Sequence, residues 1–242
     1  MIKIFKDQEE LSIAAAKLFV QIANEAIKER GTFTVALTGG SSPASLYKLL
    51  AQQPYSEQID WHKAHIFWGD ERWVPLSDDK SNAKMAYETL LNHVPVPKEQ
   101  IYPMWVKDLP PLEFAQEYEE VLRQILGSTP SFDLILLGMG EDGHTASLFP
   151  GTKVLQEKSK WVEAYYLDAQ EMHRITLTAP TINQARNIVV MVYGSNKANA
   201  LQQVLEGSQD TTKYPAQLIN PLNGTAFWFV DEAAASRLTH SK

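Results

Sequence analysis

The stretch Phe132-Asp133-Leu134-Ile135-Leu136-Leu137-Gly138-Met139-Gly140-Glu141-Asp142-Gly143-His144 decides the fold. Apolar but for Asp133, its run over 132–137 has the length of a strand and lacks polar alternation, the pattern of a strand buried on both faces. The run then stops at glycines and charged residues, so the strand's carboxyl end opens into a polar loop. Outward from this segment the same pattern recurs. A short buried strand over 33–37 ends in Thr38-Gly39-Gly40-Ser41-Ser42-Pro43, and a helix follows through Leu46, Leu49 and Leu50. A strand over 65–68 ends in Gly69-Asp70-Glu71-Arg72. Helices are predicted over 7–30, 81–91, 114–126 and 195–205, and further strands over 161–166, 174–177, 188–192 and 227–230. For the first helix, Asp7 can cap the start, Glu10 stands where a capping box needs it, and Gly31 can stop it. Such alternation implies an α/β fold whose parallel sheet is covered on both faces. The proline-bearing stretch 95–111 reads as a surface loop, since strands resume after it. With no internal repeat or low-complexity tract, residues 1–242 read as a single domain.

Composition narrows the function classes. Hydrophobic residues make up 44% and charged residues 21% of the 242, a globular balance. The net charge of −7 argues against nucleic acid, whose binding needs clustered Lys and Arg. A small anion stays open, because local cations and backbone N–H groups outweigh global charge at short range. The chain has no cysteine, which excludes disulfides, Cys-ligated zinc and a Cys nucleophile and suits a reducing compartment. The first ten residues lack the apolar core of a signal peptide, and no apolar run reaches the roughly 20 residues of a spanning helix. A cytoplasmic monomer with no membrane partner is expected.

In parallel sheets ligands collect beyond the carboxyl ends of the strands. That places Gly39, Gly40, Ser41 and Ser42, then Asp70 and Arg72, then Asp142 and His144, on one rim. The Gly39 to Ser42 turn opens a helix, where free N–H groups suit a phosphate; a serine-capped turn with no ligand is the alternative. Gly138-Met139-Gly140-Glu141-Asp142-Gly143 matches the dinucleotide pattern G-x-G-x-x-G. Two carboxylates beside a pyrophosphate would repel it by several kcal/mol as an order of magnitude, so that reading is set aside. Asp142 and His144, two apart on a glycine-hinged turn, suit general-base chemistry, with a structural contact as the alternative. Asp70-Glu71-Arg72 either faces the rim or forms a solvated loop. Lys197, in the first turn of a helix, opposes the macrodipole unless an anion is bound, or else is a surface lysine. His62 and His65 form H-x-x-H without the other ligands of a metal site, so no metal is expected. No Gly-x-Ser-x-Gly elbow is present.

The segment from Gly138 through His144 to Thr145-Ala146-Ser147-Leu148-Phe149-Pro150-Gly151 resembles the signature of the 6-phosphogluconolactonases. Thr38 to Pro43, Trp68-Gly69-Asp70-Glu71-Arg72-Trp73-Val74-Pro75, Arg174-Ile175-Thr176-Leu177-Thr178 and Gly194-Ser195-Asn196-Lys197 match further segments of that family, in the same order. The resemblance implies a three-layer α/β/α fold with a mostly parallel, modified Rossmann-like sheet that holds no dinucleotide. It implies metal-free and cofactor-free hydrolysis of 6-phosphogluconolactone in the oxidative pentose phosphate pathway. His144 would be the general base and Asp142 its helper. Ser41, Ser42, Arg174 and Lys197 would hold the phosphate, and Arg72 would lie near the phosphate or the reacting end. The glucosamine-6-phosphate deaminases share the Asp-Gly-His turn but carry a glutamate where Phe149 stands here, and an apolar ring transfers no protons. A non-catalytic sugar-phosphate module is the remaining alternative.

Overall fold

The computed structural model describes residues 1–239, without the side chains of Ser41 and Ser42. The chain begins with β1 (Ile2–Phe5), α1 (Gln8–Arg30), β2 (Phe33–Leu37), α2 (Ser41–Leu50), β3 (Ala64–Trp68) and β4 (Asp70–Arg72). It continues through α3 (Asn82–Ala86), α4 (Pro111–Leu126), β5 (Leu134–Gly138), β6 (Val162–Leu167) and β7 (Met172–Leu177). It closes with α5 (Ala179–Ile182), β8 (Asn187–Val192), α6 (Ala198–Glu206), β9 (Thr225–Asp231) and α7 (Glu232–Ala235).

Six strands form one parallel sheet in the order β1-β9-β8-β5-β2-β3. Helices flank it in an α/β/α arrangement, α1 packing on α2 and α6 on α7. The inner strands are buried as their apolar sequences require. In β5, Leu134, Ile135, Leu136 and Leu137 are each at most 1% exposed. Each such side chain contributes about 1.5–3 kcal/mol by burial, more than the ~1 kcal/mol net of one ladder hydrogen bond. The helix read over 7–30 forms as expected. Asp7 caps it by accepting from the N–H groups of Glu9 and Glu10, and Gly31 closes it in the left-handed region at φ 80°. Glu10 reaches back to the N–H of Lys6 rather than that of Asp7.

Three expectations need correction. The strands read over 161–166 and 174–177 do not join the parallel sheet. They form an antiparallel pair, β6 with β7, and β4 adds to β7 to complete a separate three-stranded sheet. Both mix polar with apolar residues, as Glu163, His173 and Arg174 show, and the short connection over 168–171, with Glu171 in the left-handed region, makes a hairpin and leaves no room for a crossover helix. The segment read as a helix over 81–91 is α-helical only to Ala86 and continues as a π-turn over Tyr87–Leu91. Finally, β1 went unread. It is four residues long and mostly exposed at the sheet edge, so it lacks the apolar continuity that marks the inner strands.

The topology fixes where a ligand can sit. From β2 the chain moves to β3 on one side, whereas β5, β8 and β9 follow on the other. The order therefore reverses between β2 and β5, and the loops after these two strands diverge at their carboxyl ends.

Candidate active site

A cavity of about 470 Å³ opens at that switch point. Its walls include Gly39 and Gly40 after β2, Asp70 and Arg72 of β4, Gly140 and His144 after β5, Arg174 of β7, and Lys197 before α6. The candidate residues, spread over more than 150 positions of sequence, thus meet in one cleft. The roles read for Ser41 and Ser42 depend on side chains outside the described residues.

The segment after β5 opens no helix. It turns at Gly140 to Gly143, where the Gly143 N–H donates to Gly140 O at 3.1 Å, and then forms a bridge between Thr145 and Leu148. A dinucleotide loop needs a helix here, so the literal G-x-G-x-x-G match fails on context as well as charge. The turn brings Asp142 under His144. Asp142 Oδ1 lies 2.5 Å from His144 Nδ1 and 3.1 Å from the His144 backbone N. Burial raises the Asp142 carboxyl, but the bonds and charge of His144 outweigh it and hold it below the usual range. An ionised Asp142 assigns the Nδ1 proton to the imidazole and leaves Nε2 with a lone pair. A Cβ at Gly140 would collide with His144 Nδ1 and Asp142 Oδ1, so glycine is what lets the pair form.

Behind the turn lies a buried ionic network. Arg174 is 3% exposed and donates from Nη2 to Asp70 Oδ2 at 2.8 Å, from Nε to Ser147 Oγ at 2.9 Å and from Nη1 to Gln170 Oε1 at 3.0 Å. Ser147 Oγ also donates to Asp70 Oδ2 at 2.6 Å. Three of the five guanidinium N–H bonds are thereby used inside the protein, leaving two. Asp70 balances the charge of Arg174, and together they tie the small sheet to the His144 loop.

Strand alternation explains the charged triplet. Asp70 and Arg72 reach the cavity, while Glu71 points the other way and is fully buried. Glu71 accepts from the N–H groups of Arg72, Asn82 and Ala83 and from Ser81 Oγ, so it fixes the start of α3. Burial pushes its carboxyl up against the pull of those donors. The rim reading holds for Asp70 and Arg72 but not for Glu71.

Arg72 donates from Nη1 to the Lys80 carbonyl at 2.9 Å. Lys197 ends a 3-10 turn over Ser195–Lys197 and stands at the N-cap of α6, so the helix read over 195–205 is α-helical only from Ala198 and Lys197 precedes its first turn. Neither Arg72 nor Lys197 makes an ion pair among the described residues. Glu141, on the same cavity wall, accepts from Asn196 Nδ2 at 2.7 Å. At the second glycine turn, Gly40 adopts φ 88° and precedes α2.

His62 and His65 do not converge. His62 faces Asp60 in solvent, and His65 stacks on Tyr102. Among the described residues no group of three His, Asp or Glu side chains is placed to hold a metal ion.

The sequence reading missed Asn82, Phe149 and Gln170 as parts of this assembly. Asn82 is 2% exposed, donates to the Asp70 carbonyl at 2.9 Å and lies on the cavity wall against Gly39. Ser81 opens the segment read as a helix over 81–91 and caps α3 through its side chain, but nothing in sequence links position 82 to position 39. Phe149 stacks on His144 with ring centroids 4.0 Å apart and planes at 25°.

The profile of a family described as glucosamine-6-phosphate isomerases/6-phosphogluconolactonase matches residues 6–228. The chain is 39% identical to "Probable 6-phosphogluconolactonase 1" of Arabidopsis thaliana, over 100% of this chain and 94% of that one. It is 38% identical to a 6-phosphogluconolactonase of Nostoc sp., over 98% of both chains. Among solved structures, the 6-phosphogluconolactonase of Trypanosoma brucei superposes with a TM-score of 0.87 at 27% identity, covering 99% of this chain and 98% of that one. A monomeric glucosamine-6-phosphate deaminase superposes at 0.83 with 22% identity over 97% and 98%, a likeness of fold alone.

Proposed function

This chain belongs to the glucosamine-6-phosphate isomerase/6-phosphogluconolactonase family, and from that premise we propose how its cleft hydrolyses 6-phospho-D-glucono-1,5-lactone to 6-phospho-D-gluconate. The enzyme is a lactonase of the pentose phosphate pathway. The observation that carries the mechanism is that His144, oriented by Asp142, shares one cavity with Arg72, Arg174 and Lys197.

Lys197 and the two remaining Arg174 N–H bonds hold the phosphate together with the glycine turn at Gly39 and Gly40, and Arg72 stands on the same wall near the phosphate or the reacting end. Ser41 and Ser42 belong to the same cradle by sequence. Asp70 is close enough to Arg174 to set its orientation and lines the wall where sugar hydroxyls lie. Anchoring one end of the substrate places the lactone carbonyl beside His144, and such orientation lowers a barrier by several kcal/mol or more, as an order of magnitude. Nε2 takes a proton from water as its oxygen attacks the carbonyl carbon. Charge gathers on the carbonyl oxygen, where Arg72 or glycine-turn N–H groups stabilise it. The tetrahedral adduct then collapses, the C–O bond to the ring oxygen breaks, and the imidazolium returns its proton to that oxygen. Asp142 stabilises the imidazolium between the two steps.

Residues 1–242 act as one catalytic domain in this reading, supported by a continuous hydrophobic core. We place the protein in the cytoplasm, a reducing compartment that its cysteine-free sequence suits, and expect a monomer; fractionation tests the first and sedimentation the second. No helix of the described residues is long and apolar enough to cross a membrane.

His144→Ala, assayed on freshly made lactone with the spontaneous rate subtracted, tests the mechanism. Turnover should fall by about 10²–10⁴, the usual contribution of a general base. Wild-type turnover in that variant would remove His144 from the mechanism.

A further inference from the structure

We propose that Phe149 is the positioning residue of the His144 imidazole, an inference that rests on the general-base reading above. Among the described residues Asp142 is the hydrogen-bond partner of the ring, and it holds one edge, through Nδ1. A single hydrogen bond fixes a direction but leaves the ring free to swing about the N···O axis. Phe149 removes that freedom, because its ring lies nearly parallel to the imidazole at a centroid distance of 4.0 Å. The two contacts together set where Nε2 points.

Phe149 is itself firmly placed. It is 7% exposed, and its carbonyl accepts from Thr152 N at 3.2 Å and Thr152 Oγ1 at 2.6 Å. The Arg174 guanidinium lies 5.4 Å from the Phe149 ring centroid and is held in turn by Asp70, Ser147 and Gln170. The small antiparallel sheet therefore reaches the catalytic ring through one aromatic side chain. Phe149 does not line the cavity, whereas His144, Ala146 and Arg174 do, so it acts through the side chains its ring touches: an effect through the imidazole falls on kcat, and one through Arg174 would fall on KM.

The ring also contributes electronically. An aromatic face is electron-rich and attracts cations, so it favours the imidazolium that forms when water gives up its proton. An aliphatic side chain of like volume would fill the space without that attraction. The charged groups around the imidazole are Asp142 at Nδ1, with Asp70, Arg72, Glu141, Arg174 and Lys197 on the cavity walls. None of these changes in the variants below.

The test compares Phe149→Leu with Phe149→Tyr, each checked for folding by circular dichroism and thermal melting. Phe149→Leu should lower kcat about tenfold while KM stays within about twofold, the loss expected for one aromatic contact made in the transition state. The acid limb of its kcat/KM profile should move to lower pH. Phe149→Tyr keeps the ring and should retain both kcat and the limb. A folded Phe149→Leu enzyme with unchanged kcat and pH profile overturns the proposal, as does a Phe149→Tyr enzyme as impaired as the leucine variant. If the leucine variant does not fold, Phe149→Met makes the same comparison. His144→Ala separates the two levels: full activity there removes the general base itself, whereas an inactive His144→Ala beside an unaffected Phe149→Leu removes only the role of Phe149.

Discussion

One oxygen of Asp142 holds His144 twice: Oδ1 is 2.5 Å from the imidazole Nδ1 and 3.1 Å from the backbone nitrogen of the same residue. The side chain and the main chain of the base are therefore oriented by a single acceptor. Its replacement disturbs both tautomer and ring direction while leaving the cationic side of the cavity alone.

Asp142→Asn should lower kcat by about 10²-fold or more, because an amide neither stabilises the imidazolium nor enforces the Nδ1–H tautomer. KM should change little. Steady-state kinetics on the lactone, corrected for spontaneous opening, make the comparison; a drop confined to KM would contradict the orienting role.

The buried pair Asp70–Arg174 has side chains 6% and 3% exposed. Removing Arg174 alone strands a carboxylate in the interior, so Arg174→Met should destabilise the fold by about 3 kcal/mol. The double variant Asp70→Leu with Arg174→Met should lose less than Arg174→Met alone. Denaturant unfolding of both single variants and the double variant measures the coupling; simple additivity would show that the pair does not interact.

Lys197→Ala should raise KM more than it lowers kcat, since the lysine holds a part of the substrate that does not react. Inhibition by the product, 6-phosphogluconate, should weaken in parallel. An unaltered KM and inhibition constant would exclude Lys197 from the phosphate cradle.

Glu157 accepts from the N–H groups of Lys160, Ser159 and Lys158 and from Ser159 Oγ. These bonds bring its carboxyl down to about 2. A depressed carboxyl contributes stability above its unfolded value near 4.5 and loses it as pH falls toward about 2. Glu157→Gln should therefore melt a few degrees lower than wild type at pH 7, and the gap should close as pH approaches 2. A gap that persists unchanged at pH 2 would mean that ionisation is not its source.

The central sheet was legible because inner strands carry continuous apolar runs, as 35–37 and 134–137 show. Direction was misread, although β6 and β7 carry Glu163, His173 and Arg174 and lack the continuous apolar run of the inner parallel strands; a run's length marks a strand, and only its polar pattern and its short connection mark a hairpin. In the site, Asp142 and His144 could be paired from their spacing, since a two-residue offset on a glycine turn brings side chains together. Arg174 with Asp70 could not, because their contact spans 104 positions and depends on β4 joining β7. Phe149 was noted in sequence only as an apolar ring without proton chemistry; its stacking on His144 needs the bridge between Thr145 and Leu148 to fold the segment back.

The three glycines of Gly138-Met139-Gly140-Glu141-Asp142-Gly143 look equivalent on paper and are not interchangeable in the molecule. A methyl group at Gly138 would meet nothing within 4 Å, whereas one at Gly140 would displace the base and its carboxylate. Gly143 stands at φ 77°, where a side chain would also press on Tyr214. A saturation library across this loop should accordingly recover active clones with alanine at the first position and none at the second, turning a superficially uniform motif into a graded map of tolerance.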